Sequence, residues 1–159
     1  MILTGLPPIV DNRARVLILG SFPSTASLAA RQYYAHPQNQ FWRILGEVIG
    51  QPLKDMGYPT RIAAVQAAGI AIWDVFASCE RAGSLDTAIR DAAPNPLAGL
   101  RESTPALRRI CFNGRMAARR IREVEAMGFE AVVLPSTSPA HAGMSFAEKL
   151  ARWREALRP

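Results

Sequence analysis

Four short runs of β-branched and apolar residues alternate along the chain with segments whose apolar positions recur at helical spacing. The runs cover residues 16–19, 70–75, 109–112 and 131–134, and their length and composition are typical of buried strands. Strands that alternate with helices form a parallel sheet with helices on both faces. The pattern therefore predicts an α/β fold built on a central four-stranded parallel sheet.

The helical segments lie between these strands and after the last one. They cover residues 38–49, 60–68, 114–127 and 145–157. The last opens with Ser145 and Glu148, the spacing of a capping box. Residues 92–105 contain three prolines, which favours a loop or a broken helix. We see no repeat and no second domain, so residues 1–159 are predicted to form a single domain.

Composition indicates a globular protein and excludes several classes. With 159 residues, 49% of them hydrophobic, the chain is long enough to bury a core. No apolar run approaches the roughly 18 residues that span a bilayer, and the N-terminus lacks the pattern of a secretory signal. We therefore expect no membrane partner and a location in the cytoplasm. Cys79 and Cys111 lack metal-site spacing and are expected to be inert buried thiols, so we expect no metal.

The charge balance is basic, with a formal net charge of +6. Only Lys54 and Lys149 are lysines among 19 basic residues, and the rest are arginines. Both lysines lie in segments that are predicted at the surface. The planar guanidinium binds phosphate in bidentate fashion, which favours a nucleic-acid partner. A base-composition bias in the coding DNA explains the arginine content equally well, and charge alone does not decide between the two.

A loop rich in small residues directly follows the first predicted strand. It contains Gly20, Ser21, Phe22, Pro23 and Ser24. Glycine permits a sharp turn, proline stiffens the loop, and hydroxyl and backbone N–H groups can hold an anion. The loop matches neither a Walker A nor a GxGxxG pattern, and a purely structural role is as common for such a loop.

The next segment combines aromatic and polar residues. Tyr33 and Tyr34 are predicted in a loop with little to bury them, and exposed aromatics beside a basic surface commonly stack on bases. His36 precedes a proline and is otherwise a loop histidine satisfied by backbone. Asn39 stands at the start of a helix, where an N-cap is the ordinary role of asparagine.

Two further strands end in polar residues. Asp74 lies near the end of an apolar strand, where a carboxylate needs either a partner such as an arginine or a ligand. Asn113 and Gly114 follow the next strand and are interpreted as a turn and helix cap. After the last strand comes a rigid loop containing Ser136, Thr137, Ser138, Pro139 and His141. Because ligands bind beyond the carboxyl ends of parallel strands, these loops are expected to face one crevice.

Together these segments resemble the uracil-DNA glycosylase superfamily, and most closely its hypoxanthine-DNA glycosylase branch. Three ordered motifs carry the resemblance: Gly-Ser-x-Pro-Ser at 20–24, Tyr-Tyr-x-His-Pro-x-Asn-x-Phe-Trp at 33–42 and Pro-Ser-Thr-Ser-Pro-Ala at 135–140. The resemblance implies a three-layer α/β/α sandwich. It also implies a monofunctional DNA N-glycosylase without a cofactor, which repairs double-stranded DNA carrying deaminated bases. Single-stranded DNA is an alternative substrate, and a monomer is expected.

The resemblance also assigns roles to individual residues. Tyr34 maps to the aromatic that stacks on the flipped base, Asp74 to the residue that reads the base edge, and Asn39 to the group that positions the attacking water. His141 is expected to assist the leaving base. Two groups of contacts complete the expected site: base contacts from Ser21 and Phe22, and DNA contacts from Ser24, His36, Ser136, Thr137, Ser138 and Pro139.

One departure from the superfamily pattern affects the expected substrate. Related branches carry Asp, Asn or Glu where this chain has Phe22, which has no proton chemistry. The departure puts strong uracil excision in doubt. The resemblance to the hypoxanthine branch implies hypoxanthine as the excised base, with uracil and xanthine as further candidates. A uracil or mismatch-specific glycosylase and a catalytically silent DNA-binding member of the fold stay open as alternatives. A small nucleotide hydrolase is less consistent, because the chain lacks acidic clusters for Mg²⁺.

Overall fold

The structure is a computed structural model that describes residues 1–158. The strands are β1 (Leu3–Thr4), β2 (Val16–Gly20), β3 (Ile70–Asp74), β4 (Phe76–Glu80), β5 (Arg90–Pro94), β6 (Arg109–Asn113) and β7 (Glu130–Leu134). The helices are α1 (Thr25–Ala30), α2 (Phe41–Ile49), α3 (Tyr58–Ala67), α4 (Leu100–Ser103), α5 (Ile121–Ala126) and α6 (Phe146–Ala156).

The central sheet contains the four predicted strands in the order β3-β2-β6-β7, all of them parallel. This confirms the predicted sheet. The register pairs Gly20 with Asp74 and Asn113 with Leu134, so the carboxyl ends of the strands lie at one edge. Every residue of β2 and β3 is buried, which explains why these strands are continuous apolar runs in the sequence.

The two faces of the sheet support separate hydrophobic cores. Val16 and Ile18 of β2 point into a core shared with α2, α3 and α6, whereas Leu17 and Leu19 point into one shared with α4 and α5. This alternation follows from the two-residue period of a strand. The fold is therefore the three-layer α/β/α sandwich that the sequence predicts.

A second, antiparallel sheet of order β1-β4-β5 is absent from the sequence prediction. Part of β5 falls within residues 92–105, which were predicted as a loop or broken helix, and that prediction is wrong for residues 92–94. All five side chains of β5 are exposed, and the strand ends at a proline, so it carries no apolar pattern that predicts a strand. Its conformation comes from backbone pairing with β4.

Several predicted boundaries also differ. The helix predicted at 38–49 begins at Phe41, and the segment predicted at 114–127 is a 3-10 turn (Ala117–Arg120) followed by the short helix α5. Helix α1 was not predicted. At α6 the predicted cap is confirmed, because Ser145 Oγ accepts a hydrogen bond from the Glu148 backbone N–H at 3.2 Å. Within residues 1–158 no helix is long and apolar enough to cross a bilayer.

Candidate active site

A cavity of about 290 Å³ opens at the carboxyl-terminal edge of the central sheet. Its floor and walls come from the ends of β2, β3 and β6 and from the loop after β7. Tyr34, Asn39 and Asp74, which lie far apart in the sequence, all line it. Loops after neighbouring parallel strands converge in this way at the carboxyl ends of an open sheet.

The floor is formed by Gly20 at the end of β2. A Cβ atom at this position would lie 2.5 Å from Asp74 Oδ1 and 2.8 Å from Tyr34 Oη. Both distances are shorter than real Cβ contacts allow, so glycine is required if the carboxylate and the phenol are to keep these positions. Gly20 therefore leaves open the small space between the two polar groups.

Asp74 is a buried carboxyl group, with only 4% of the residue exposed. Its Oδ2 atom has no hydrogen-bond partner within residues 1–158, and no arginine or lysine forms an ion pair with it there. Burial, with a smaller contribution from the charge of Asp86, raises the pKa of Asp74 to about 7, and Arg81 partly opposes the rise. The carboxyl is thus neutral in mild acid and ionised above neutrality.

Tyr33 and Tyr34 are not the exposed aromatics that their loop position predicts. Tyr33 is buried, and its hydroxyl donates to the backbone carbonyl of Pro7 at 2.8 Å. The Tyr34 ring stacks on Phe41 with ring centroids 3.9 Å apart. The aromatic residues of α2 that bury these rings are close to them in the sequence. The contact nevertheless depends on how the loop folds back onto α2.

Asn39 lies at the cavity wall just before α2. Its Oδ1 accepts a hydrogen bond from the Phe41 backbone N–H at 2.9 Å. This bond resembles the N-cap role that is the alternative interpretation of Asn39. Its Nδ2 makes no hydrogen bond to the described residues, and it remains available to a molecule in the cavity. The backbone bond fixes the orientation of the amide, so capping and a site role are compatible.

Asn113 is a site residue that sequence reasoning missed. Its Nδ2 donates to Thr137 Oγ1, and its Oδ1 accepts from the Thr137 N–H, both at 3.0 Å. This pair of bonds attaches the loop after β7 to the end of β6. Asn113 was interpreted as a turn residue, and its position at the end of a strand, like that of Asp74, was the signal that could have found it.

The loop after β7 is held at two further points. Trp153 Nε1 of α6 donates to the Pro135 carbonyl at 3.0 Å, and Lys149 Nζ donates to the His141 carbonyl at 2.6 Å. The expectation that Lys149 lies on the surface is wrong, because this residue is only 2% exposed. Its amine does not line the cavity but anchors the loop from behind.

The turn that joins β4 and β5 forms a wall of the cavity that was also not predicted from the sequence. Asp86 in this turn accepts a hydrogen bond from Ser21 Oγ at 2.6 Å, and Ser84 Oγ accepts one from the Thr25 N–H. Arg81 donates to the Pro23 carbonyl. The turn therefore closes the cavity on the side of the Gly20–Ser24 loop, and no local sequence signal indicated this because β5 itself was not recognised.

The remaining predicted residues divide into two groups. Those that line the cavity are Ser21, Phe22, Ser24, Ser136, Thr137, Ser138 and His141, and those that do not are His36 and Pro139. His36 Nδ1 accepts from the Gln38 backbone N–H, as the backbone-satisfied alternative requires. Thr137 is 1% exposed with its hydroxyl already paired, so it positions the loop rather than offering a free hydroxyl to DNA.

The thiols of Cys79 and Cys111 are free and buried. Burial raises the pKa of Cys111, which keeps its thiol protonated and unreactive. Within residues 1–158 no group of three or more potential ligand side chains is arranged to hold a metal ion.

Comparison with known proteins identifies the class to which this fold and cavity belong. A profile of the uracil DNA glycosylase superfamily matches residues 7–158, and the chain belongs to that superfamily. It is a DNA N-glycosylase of base excision repair.

Individual relatives are similar over nearly the whole chain. A hypoxanthine DNA glycosylase of Methanosarcina acetivorans is 44% identical over 141 residues, which cover 89% of each chain. One of Methanosarcina barkeri is 38% identical over 154 residues, which cover 97% of each. A solution NMR structure of a candidate uracil DNA glycosylase from Methanosarcina acetivorans superposes with a TM-score of 0.88 at 41% identity, and covers 99% of this chain and all of that one.

A side chain at Gly20 should fill the floor of the cavity and slow base excision. We expect Gly20→Ala to lower excision by roughly a hundredfold, because its Cβ displaces the groups at Asp74 and Tyr34. The measurement is single-turnover base excision. Gly57→Ala is the control, because a Cβ atom added at Gly57 would lie in open space. Equal loss in both variants would contradict this account of the floor.

The buried carboxyl of Asp74 should make stability depend on pH. In the unfolded chain the group ionises near 3.8, but in the folded protein near 7, so stability due to this group falls as pH rises between these values. The full effect is on the order of 4 kcal/mol. We expect Asp74→Asn to melt higher than the wild type at pH 8, by roughly 8–16 °C, with the difference shrinking toward pH 4.

Thermal melting across pH measures this effect. Asp55→Asn is the control, since Asp55 is an exposed carboxylate outside the cavity. A difference between Asp74→Asn and wild type that stays constant from pH 4 to pH 8 would show that Asp74 is not buried as a neutral acid.

Proposed function

We propose that this glycosylase excises hypoxanthine, the deamination product of adenine, from double-stranded DNA. The observation that carries the proposal is the unpartnered carboxylate of Asp74 at the cavity floor. Hypoxanthine carries an N1–H that a carboxylate accepts, whereas adenine has a bare N1. A site built to pair with a hydrogen strongly rejects the analogue that lacks it, because buried polar groups are then left unpaired.

The cavity, with a volume of about 290 Å³, is proposed to hold one extruded base. The target C1′ is hidden inside the duplex, so the enzyme must flip the nucleotide at a cost of a few kcal/mol, and less at a mispair. In the proposed complex Phe22 supplies an aromatic wall beside the base, and Tyr34, whose ring is stacked on Phe41, lies at the cavity floor. The loop at 135–141 is fixed from behind by Trp153 and Lys149, and it contacts the DNA at the cavity mouth.

Bond cleavage is proposed to pass through an oxocarbenium-like sugar, as is usual when a sugar loses its leaving group. Asn39 Oδ1 accepts the Phe41 backbone N–H with one lone pair and orients the attacking water by accepting its O–H with the other. The water oxygen bonds to C1′, and the proton that it loses is taken up by the purine, which leaves as an anion. His141 lies on an exposed part of the cavity rim, where its side chain can donate a hydrogen bond to the departing purine. Phe22 supplies no acid or base.

The chain has two lysines, and the amine of neither is placed to form a Schiff base with the sugar. Lys54 is exposed in a 3-10 turn remote from the cavity, and the amine of Lys149 is held by the His141 carbonyl and by Gln40 Oε1. We therefore propose hydrolysis without lyase activity. One chain supplies every group in the proposed site, so the single domain is proposed to act as a monomer. Its DNA substrate implies a cytoplasmic enzyme, associated with the nucleoid in a prokaryote.

Strand cleavage of an inosine duplex tests the proposed activity. The expected result is a break at inosine that appears only after alkali, because hydrolysis leaves an abasic site with an intact backbone. Parallel duplexes with uracil or xanthosine rank the bases. Duplex binding without cleavage of any of them would instead identify a catalytically silent DNA-binding protein.

Replacement of Asn39 separates chemistry from binding. We expect Asn39→Ala to lower the single-turnover rate about a hundredfold, because the water loses its orientation, with nearly unchanged duplex affinity. Asn12→Ala is a matched control at an exposed asparagine. Wild-type rates in Asn39→Ala would remove this residue from the mechanism.

Replacement of Asp74 tests base reading. Asparagine can offer an N–H to adenine N1 as well as an acceptor to hypoxanthine, so we expect Asp74→Asn to narrow the preference for hypoxanthine over adenine by about tenfold. The measurement is the ratio of excision rates at pH 8, where the wild-type carboxyl is ionised. An unchanged ratio would mean that other groups read the base.

A further inference from the structure

The hydroxyl of Tyr34 is the second polar group at the cavity floor, and the stacking role assigned to its ring does not use it. Tyr34 Oη is buried, and its O–H donates to no acceptor within residues 1–158. The Asn113 side chain lies close enough to the phenol to oppose the rise in its pKa, but it leaves the phenol proton unused. A buried O–H without an acceptor destabilises a fold, and phenylalanine would avoid this cost.

The backbone of Tyr34 is also strained. Its φ is 53°, in the left-handed region that few aromatic residues occupy. Such positions are energetically unfavourable and persist where surrounding contacts hold them. Stacking on Phe41 supplies those contacts, and it covers one face of the Tyr34 ring. The strain and the stack together direct the phenol oxygen toward the floor.

At the floor the phenol lies beside the carboxyl of Asp74. Both Tyr34 Oη and Asp74 Oδ1 are within 3 Å of the place where a Gly20 side chain would start, yet neither is hydrogen-bonded to the other. Burial and the nearby charge of Asp74 raise the pKa of Tyr34. The phenol therefore stays protonated and is a donor wherever Asp74 is an acceptor.

We propose that Tyr34 is a specificity-determining residue whose O–H donates to the C6 oxygen of the flipped base while Asp74 accepts its N1–H. The inference rests on the proposed function and deepens it. A donor beside an acceptor matches the N1–H and C6=O edge of hypoxanthine. Adenine presents the reverse order at these two atoms, so it is mismatched twice. The C6 oxygen has two lone pairs, so a backbone N–H can donate to it as well.

The test is Tyr34→Phe, which removes one oxygen and keeps the ring and its stack on Phe41. Its readout is equilibrium binding to duplexes that carry a 2′-fluorinated, cleavage-resistant nucleotide of either hypoxanthine or unsubstituted purine. Purine lacks the C6 oxygen. We expect Tyr34→Phe to weaken binding of the hypoxanthine duplex by about tenfold to a hundredfold, and of the purine duplex by less than about twofold.

Four outcomes separate the possible failures. Equal weakening on both duplexes would overturn the inference, since it would mean that Tyr34 acts through its ring alone, and so would no weakening on either. Because the readout is binding, it holds even if the wild type fails to cleave inosine DNA, a result that would count against the proposed function only.

Thermal melting checks the fold. Tyr34→Phe is expected to melt no lower than the wild type, because the O–H that it removes donates to no described residue. A marked destabilisation would contradict the unused O–H on which the inference depends.

Discussion

A carboxyl group buried without a counter-ion is the constraint around which the rest of the site is arranged. Asp74 stands at the end of β3, and parallel register puts Gly20 beside it. Desolvation makes the charged form costly, and Arg81 offsets only part of that cost. The neighbouring groups are those that such a carboxyl tolerates: a glycine without a side chain and a phenol that keeps its proton. Above neutrality the fold thus loses stability at the cavity floor, where the carboxyl becomes charged.

The rigidity of the loop after β7 follows from hydrogen bonds to β6 and to α6. Asn113 and Thr137 pair through both ends of one amide, and Trp153 and Lys149 hold the same loop from α6. The bonds between Asn113 and Thr137 are buried and those from Trp153 and Lys149 are partly buried, so water competes little for them. The loop after β7 is therefore supported by the hydrophobic core beneath it, and its exposed rim residues need contribute nothing to its shape.

Much of the site could be predicted from the sequence because its polar residues interrupt apolar strands at their ends. Asp74 interrupts one such strand, and the motifs around Tyr34 and Asn39 carry the family resemblance. Asn113 was placed on the correct strand but given only a structural role. Asp86 and Ser84 were not predicted at all, because β5 exposes every side chain and so lacks the alternation that identifies a strand. Lys149 was misassigned to the surface, since lysines are seldom buried unless acceptors surround them.

The sequence by itself determined the parallel sheet, most of the helices and the edge of the sheet at which the cavity opens, because hydrophobic periodicity and the alternation of strands with helices are local properties of the chain. Only the tertiary structure decided that Tyr34 turns its hydroxyl to the floor beside Asp74, and that a turn between exposed strands closes the cavity. Those features depend on contacts between residues far apart in the chain and on backbone pairing. Neither leaves a periodic pattern in the sequence, which is why the chemistry of the floor became visible only in three dimensions.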